Sequence, residues 1–221
     1  MTACLGLRYV TKDGRVLCVA SADTEVSGTG NKRYADVTTI DKCVRLGDSY
    51  LLMSGMGLIQ EATDILLEDP DFTNRIRLNT RKDVRELAVT IYEVVKDLID
   101  LSCEKPESIE GLGNLLFVSP RALWVVFSDL TILRFESQIT SGAGEDVATG
   151  AAHILLEELK EKEAAGHRVD YEDLENIAYK VISCCIVHLL SVGKPITIHR
   201  VDPLPDPPPL KVKKPRKKNA D

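Results

Sequence analysis

The chain opens with Met1-Thr2-Ala3-Cys4-Leu5-Gly6-Leu7-Arg8-Tyr9, which places a small hydroxyl residue directly before an apolar strand. Threonine is small enough for the cell to remove the initiator methionine, and removal would leave Thr2 with a free α-amino group beside its own hydroxyl. An α-amine titrates at about pH 7.7–8.0, so neutral base is present at cellular pH. A threonine paired with its own terminal amine is a known activated nucleophile. The alternative is a threonine that merely follows the start codon, and this stretch alone does not decide between the two.

The composition is that of an ordinary globular protein. The 221 residues suffice for one large domain or two small ones, and 44% of them are hydrophobic. No apolar run reaches the roughly 18 residues that a membrane span needs, and no charged-then-apolar leader is present, so we expect a cytoplasmic protein without membrane contact. The six cysteines show no Cys-x-x-Cys spacing and the histidines share no ligand spacing. We therefore expect reduced, mostly buried thiols, no metal site and no cofactor.

Charge is distributed unevenly along the chain. The net charge is −6, but residues 202–221 carry six basic and three acidic side chains, which leaves −9 on the remainder. An acidic body argues against nucleic-acid binding by the folded part. From Pro203 onward, prolines alternate with lysines and the apolar content is too low for folding. We expect one domain over 1–201 and a disordered Pro/Lys-rich tail over 202–221, which either solubilises the chain or binds a partner, an acidic surface or nucleic acid.

Hydrophobic periodicity predicts blocks of strands and helices. An Asp13-Gly14 turn predicts a hairpin between Leu5–Tyr9 and Val16–Ala22. The further predicted elements are strands Val37–Ile40 and Tyr50–Ser54, a helix to Leu67, a helix Lys82–Ser102, strands Leu112–Val118, Ala122–Phe127 and Leu130–Glu136, a glycine loop Thr140–Asp146 entering a helix, a helix Tyr171–Leu190 and a strand Ile196–Val201. This order predicts an α+β fold in which two antiparallel sheets lie face to face with a helix pair on each outer side, a four-layer αββα sandwich.

Five short segments follow one another in a distinctive order. They are Thr2 at the start of the first strand, Ala22-Asp23-Thr24-Glu25-Val26-Ser27, Val37-Thr38-Thr39-Ile40-Asp41, Leu52-Met53-Ser54-Gly55-Met56-Gly57 before a helix, and Ser141-Gly142-Ala143-Gly144 before another helix. Together they resemble the proteasome family of N-terminal-nucleophile (Ntn) hydrolases, including the bacterial ring peptidases. The resemblance covers about residues 2–201.

The resemblance implies a mechanism and a set of site residues. The Thr2 hydroxyl would attack a peptide carbonyl, and its own amine, directly or through water, would take the proton. The Gly55 N–H would stabilise the oxyanion. Asp23 matches the acidic residue that orients the site, provided that the first hairpin is a few residues longer than usual; in the alternative alignment Ser21 takes this position.

Some positions depart from the family pattern. The family has a lysine at the start of the third strand, and the matching residue here is Asp36. The serine of the family's G-S-G loop is matched by Ala143, and the family's aspartate before the last strand has no counterpart. The candidates for supporting roles are cations shortly before Asp36 and two serines: Lys32, Arg33, Ser141 and Ser191.

Three functions remain open on the sequence. The first is a threonine-type endopeptidase in a self-associating ring that cleaves polypeptides; a chain that begins like a mature catalytic β subunit, without the extra N-terminal helix of α subunits, favours it. The second is a catalytically silent ring subunit, motivated by Asp36 and Ala143. The third is a transpeptidase or amidase that acts on a specific partner, since fold does not decide reaction. The chain has no G-x-x-x-x-G-K-[ST] loop, so an ATP-dependent unfoldase would be a separate chain.

Overall fold

The computed structural model describes residues 3–24, 42–55, 57–69, 72, 76, 78–101, 113–189, 192 and 195–202. Through these ranges the chain forms strands, two helices, strands, two helices and a final strand, in the order that the sequence predicts. The predicted strand Val37–Ile40 and the tail from residue 203 onward lie outside the described residues.

The first sheet is built around the predicted hairpin. Strands β1 (Ala3–Val10) and β2 (Val16–Asp23) pair antiparallel, and Gly14 in their turn has a φ of 83°, which glycine adopts without steric cost. Two further strands complete the sheet in the order β8-β1-β2-β9, with β8 at Gln138–Gly142 and β9 at Ile196–Arg200.

Strand β8 corrects the expectation of a glycine loop over Thr140–Asp146. The first three residues of that range belong to β8, which pairs with β1 from Leu7↔Gln138 to Ala3↔Gly142. The helix begins at Glu145, so the loop is only two residues long. Serine and glycine carry little strand preference, and this strand forms because β1 offers it a free edge.

The second sheet contains five strands in sequential order. They are β3 (Cys43–Leu46), β4 (Ser49–Gly55), β5 (Gly113–Val118), β6 (Leu123–Val126) and β7 (Ile132–Phe135). The partner of β4 is thus Cys43–Leu46, a segment to which the sequence analysis assigned no strand. Gly47, with a φ of 62°, makes the tight turn between these two strands.

Two helix pairs accompany the sheets: α1 (Gly57–Leu67) with α2 (Arg81–Leu101), and α3 (Glu145–Ala164) with α4 (Tyr171–His188). Helix α2 buries the predicted apolar stripe, including Val84, Leu87 and Ile91. Thr80 caps it, because the Asp83 N–H donates to Thr80 Oγ1 at 3.2 Å while the Thr80 N–H donates to Asp83 Oδ2 at 2.8 Å.

Three separate hydrophobic clusters lie between four layers. One joins α1 and α2 to the five-stranded sheet, and a second joins α3 and α4 to the four-stranded sheet. The third lies between the sheets and includes Cys4, Ala22, Leu52 and Leu116. The predicted αββα sandwich is therefore confirmed. None of the helices in the described part of the chain is long and apolar enough to cross a bilayer.

Candidate active site

The first strand is anchored at its start by a buried carboxylate. The Ala3 N–H donates to Asp23 Oδ1 at 2.9 Å, and Asp23, at the end of β2, is fully buried. This nitrogen belongs to the peptide bond that joins Ala3 to Thr2. Asp23 therefore holds the backbone immediately after the predicted nucleophile.

A lysine from the other sheet reaches the same carboxylate. Lys42 Nζ lies 3.1 Å from Asp23 Oδ1, and the two side chains are 10% and 0% exposed. Lys42 immediately precedes β3, and its carbonyl accepts from the Met53 N–H of β4 at 3.3 Å. Because removing two charges from water is costly, a buried ion pair persists only with good geometry and further hydrogen bonds. The Ala3 amide supplies one of them.

Strand β4 ends at Gly55, the predicted oxyanion donor. Its last residue, Gly55, lies opposite Gly113 in the sheet, and helix α1 begins two residues later. Backbone N–H groups are the donors that an oxyanion requires, so the predicted role falls on the N–H of Gly55.

Cys4 connects the two sheets at this point. Its thiol donates weakly to the Met53 carbonyl, with Sγ 3.5 Å from the oxygen. Burial raises the pKa of Cys4 to about 12; nearby Lys42 opposes this shift and Asp23 adds to it. The thiol is therefore protonated at neutral pH and is no rival nucleophile, since the thiolate is the reactive form.

Two buried serines make a further contact between the sheets. Ser54 Oγ, from β4, and Ser141 Oγ, from β8, are 2.5 Å apart, and the residues are 6% and 3% exposed. Ser141 lies opposite Cys4 in the β1–β8 ladder. No three His, Cys, Asp or Glu side chains of the described ranges are grouped so that they could hold a metal ion.

Known structures share this arrangement of sheets and helices. The sequence matches no protein-family model and no curated protein. BPH, a bacterial proteasome homologue from Thiobacillus denitrificans, is 16% identical over 93% of this chain and 100% of its own, with a TM-score of 0.67. A second structure of BPH, in complex with epoxomicin, matches with 18% identity over 92% of this chain and 100% of its own, with a TM-score of 0.66.

Two other solved proteins extend the comparison. HslV from Trypanosoma brucei is 13% identical over 90% of this chain and 98% of its own, with a TM-score of 0.57. Anbu from Pseudomonas aeruginosa, solved as a helical assembly, is 16% identical over 90% and 81% of the two chains, with a TM-score of 0.58. All three are proteasome-like Ntn hydrolases. This chain has the proteasome-like Ntn-hydrolase fold.

Sequence reasoning did not single out Lys42, because the third strand was predicted at Val37–Ile40 and the residue before it, Asp36, was matched to the family lysine. In the structure the strand that pairs with β4 begins at Cys43, and Lys42 directly precedes it. The available signal was the cation Lys42 immediately before a short segment, Cys43–Leu46, in which three of the four residues are apolar.

The other predicted site residues divide into two groups. Asp23, Gly55 and Ser141 lie at the same end of the two sheets. The alternative to Asp23, Ser21, instead donates its hydroxyl to the Thr197 carbonyl at 2.8 Å. The remaining candidates lie outside the described residues: Thr2, Lys32, Arg33, Asp36 and Ser191.

Proposed function

We propose that this chain is a threonine-type peptidase whose nucleophile is Thr2, exposed by removal of Met1. The observation that carries the proposal is the buried Lys42–Asp23 pair, which meets the N–H of the Thr2–Ala3 peptide bond. A buried ion pair is costly to assemble, and here it comes from two different sheets at the first residue of β1. The fold shared with BPH, HslV and Anbu supports the same reading.

The proposed reaction uses one hydroxyl and one amine. Thr2 Oγ attacks the substrate carbonyl carbon, and its proton passes to the Thr2 amine, directly or through a water. The Gly55 N–H donates to the resulting oxyanion. The intermediate collapses as the C–N bond breaks, and the leaving amine takes the proton from the Thr2 ammonium. Water then hydrolyses the ester by the same route and restores the free hydroxyl.

The ion pair has a defined part in this scheme. A cation close to the Thr2 amine favours the neutral form of that amine, which is the form able to act as base. Lys42 supplies the cation, while Asp23 keeps it in place and holds the Ala3 amide. We assign Lys42 the supporting role for which Lys32 and Arg33, the cations shortly before Asp36, were candidates on the sequence.

We also propose that the chain self-associates into a ring that encloses the Thr2 sites and admits unfolded polypeptide. Anbu from Pseudomonas aeruginosa forms a helical assembly, which shows that this fold can self-associate. A separate ATP-dependent unfoldase would deliver the substrate. Native mass spectrometry of the purified chain is expected to show one closed oligomer, and a monomer at micromolar concentration would contradict this part of the proposal.

Intact mass combined with covalent labelling tests the nucleophile. The expected mass lacks Met1, and a probe that reacts with both the hydroxyl and the amine of an N-terminal threonine should add once per chain. Thr2→Ala should lose both labelling and peptide cleavage, whereas Thr2→Ser, which keeps both groups, should retain labelling. Retention of Met1 would contradict the proposal, because a blocked amine cannot act as base.

A silent ring subunit is the second candidate, supported by Ala143, which brings no hydroxyl to the loop after β8. It predicts a chain that has lost Met1, assembles normally and is not labelled. A transpeptidase or amidase would be labelled but would form a ligated product when an amine acceptor is added. The same set of measurements therefore separates all three.

A further inference from the structure

The hydrogen bond between Ser54 and Ser141 has no part in the proposed reaction. Both hydroxyls are buried, they come from opposite sheets, and the oxygens are 2.5 Å apart. This distance is at the short end of the range for O–H···O bonds. A buried polar pair between two sheets could be replaced by apolar residues of similar shape at little cost, so its presence calls for a specific reason.

The position of the pair supplies that reason. Ser54 is bonded covalently to Gly55, the proposed oxyanion donor. Ser141 lies opposite Cys4 in the β1–β8 ladder, and Cys4 in turn donates to the carbonyl of Met53. Two neighbouring residues of the first sheet thus contact two consecutive residues of β4, immediately before Gly55.

We propose that the Ser54–Ser141 pair is a positioning device that sets the Gly55 N–H relative to the Thr2 hydroxyl; this inference rests on the proposed peptidase function. The proposed nucleophile directly precedes β1 of the first sheet in the sequence, and the proposed oxyanion donor ends β4 of the second sheet. Their separation therefore depends on what joins the sheets at this end. The apolar cluster between the sheets is non-directional, whereas a hydrogen bond fixes distance and angle.

The expected consequence concerns the rate of acylation rather than substrate affinity. A displacement of about 1 Å at a reacting centre can cost about 100-fold in rate. Loss of either hydroxyl should therefore slow the reaction of Thr2 with the covalent probe by about 10-fold to 100-fold, with the half-saturating probe concentration unchanged. Neither serine touches the substrate in this proposal, so both are positioning residues.

The experiment measures the saturating rate of probe labelling in the full chain. It compares wild type, Ser54→Ala, Ser141→Ala and the double variant. Ser119→Ala is the matched control, because Ser119 is equally buried and hydrogen-bonded, to the Ala122 carbonyl, but lies at the opposite end of β5. Ser141→Thr keeps the hydroxyl and should retain most of the wild-type rate.

Two results together would support the inference. Each single variant is labelled more slowly than wild type while the Ser119→Ala control is not, and the double variant is labelled no more slowly than the slower of the two single variants. Single variants within twofold of wild type would overturn the inference and leave the peptidase proposal intact. The inference would also be overturned if the rate reductions of the two single variants multiplied in the double variant, because the two serines would then act separately. A wild-type chain that has lost Met1 but is not labelled would overturn the peptidase proposal, and this inference with it.

Discussion

Asp23 is the residue on which both the fold and the candidate site depend. Its carboxylate is fully buried, accepts from the Ala3 amide and contacts Lys42 Nζ. An isolated buried carboxylate would be strongly unfavourable, so each partner stabilises the others. The consequence is that the charge near Thr2 can be altered only at a cost in stability.

Replacement of Lys42 should destabilise the protein markedly. Lys42→Met deprives the buried Asp23 carboxylate of a charged partner, and breaking a buried pair costs about 3–5 kcal/mol. The free energy of unfolding from urea denaturation measures the loss. The same variant should also abolish labelling of Thr2.

An exposed ion pair provides the control for this variant. Lys160 lies 2.6 Å from Glu157 on the surface of α3, with side chains 55% and 50% exposed. Lys160→Met should cost less than about 1 kcal/mol, because water screens the pair. If the two lysine variants lost equal amounts of unfolding free energy, burial of the Lys42–Asp23 pair would contribute nothing to stability.

At the scale of elements, β1 approaches the five-stranded sheet closely at Gly6. Gly6 faces the other sheet, and a Cβ at this position would lie 2.5 Å from Val118 Cγ2 and 2.8 Å from Ile139 Cγ1. A close approach of this kind is available only to glycine. The strand can therefore pack against β5 only because residue 6 has no side chain.

Gly6→Ala is accordingly expected to destabilise the protein by about 1–3 kcal/mol, the usual cost of overpacking a core. Thermal and urea denaturation both report it. Gly150→Ala is the matched control, since a Cβ at this exposed position of α3 meets nothing within 4 Å. That variant should gain about 0.5–1 kcal/mol from the better helix propensity of alanine. A neutral Gly6→Ala would mean that the sheets can separate at no cost.

The sequence predicted some elements well for identifiable reasons. The Asp13-Gly14 turn and the apolar stripe of α2 are local signals, and both elements formed where expected. β3 was missed because four residues, Cys43–Leu46, are too few to show a period. β8 was read as a loop because Ser141 and Gly142 resemble loop residues, and only the edge of β1 makes them a strand.

At the scale of the whole molecule, two of the three clusters enclose thiols. Of the cysteines in the described ranges, Cys4, Cys18 and Cys43 lie in the cluster between the sheets, and Cys185 on α4 lies in the cluster between the second helix pair and the four-stranded sheet. Burial raises the pKa of Cys4 and of Cys18 from 9.0 to about 12. The folded state therefore holds these protons more tightly than the unfolded chain does.

Stability should fall in alkali as a result. Below about pH 9 the thiols are protonated in both the folded and the unfolded state, so their full contribution to stability is present. Between about pH 9 and 12 only the unfolded state releases these protons, and unfolding therefore becomes progressively more favourable. The melting temperature should therefore decline above about pH 9. In Cys18→Ala the decline should be shallower, whereas Ser119→Ala, which removes a buried group that does not ionise, should keep the wild-type slope. Equal slopes in both variants would contradict this account.

The sequence by itself determined the order of elements, the four-layer class and the identity of Thr2, Asp23 and Gly55 as candidates, because hydrophobic period, turn residues and short motifs are local properties of the chain. Only the tertiary structure decided that Lys42 reaches Asp23, and that Ser54 meets Ser141. Both contacts join residues far apart in sequence, and they depend on strand register. Register is set by pairing and by burial of one face, so a shift of one residue in β3 would change which side chain approaches the site.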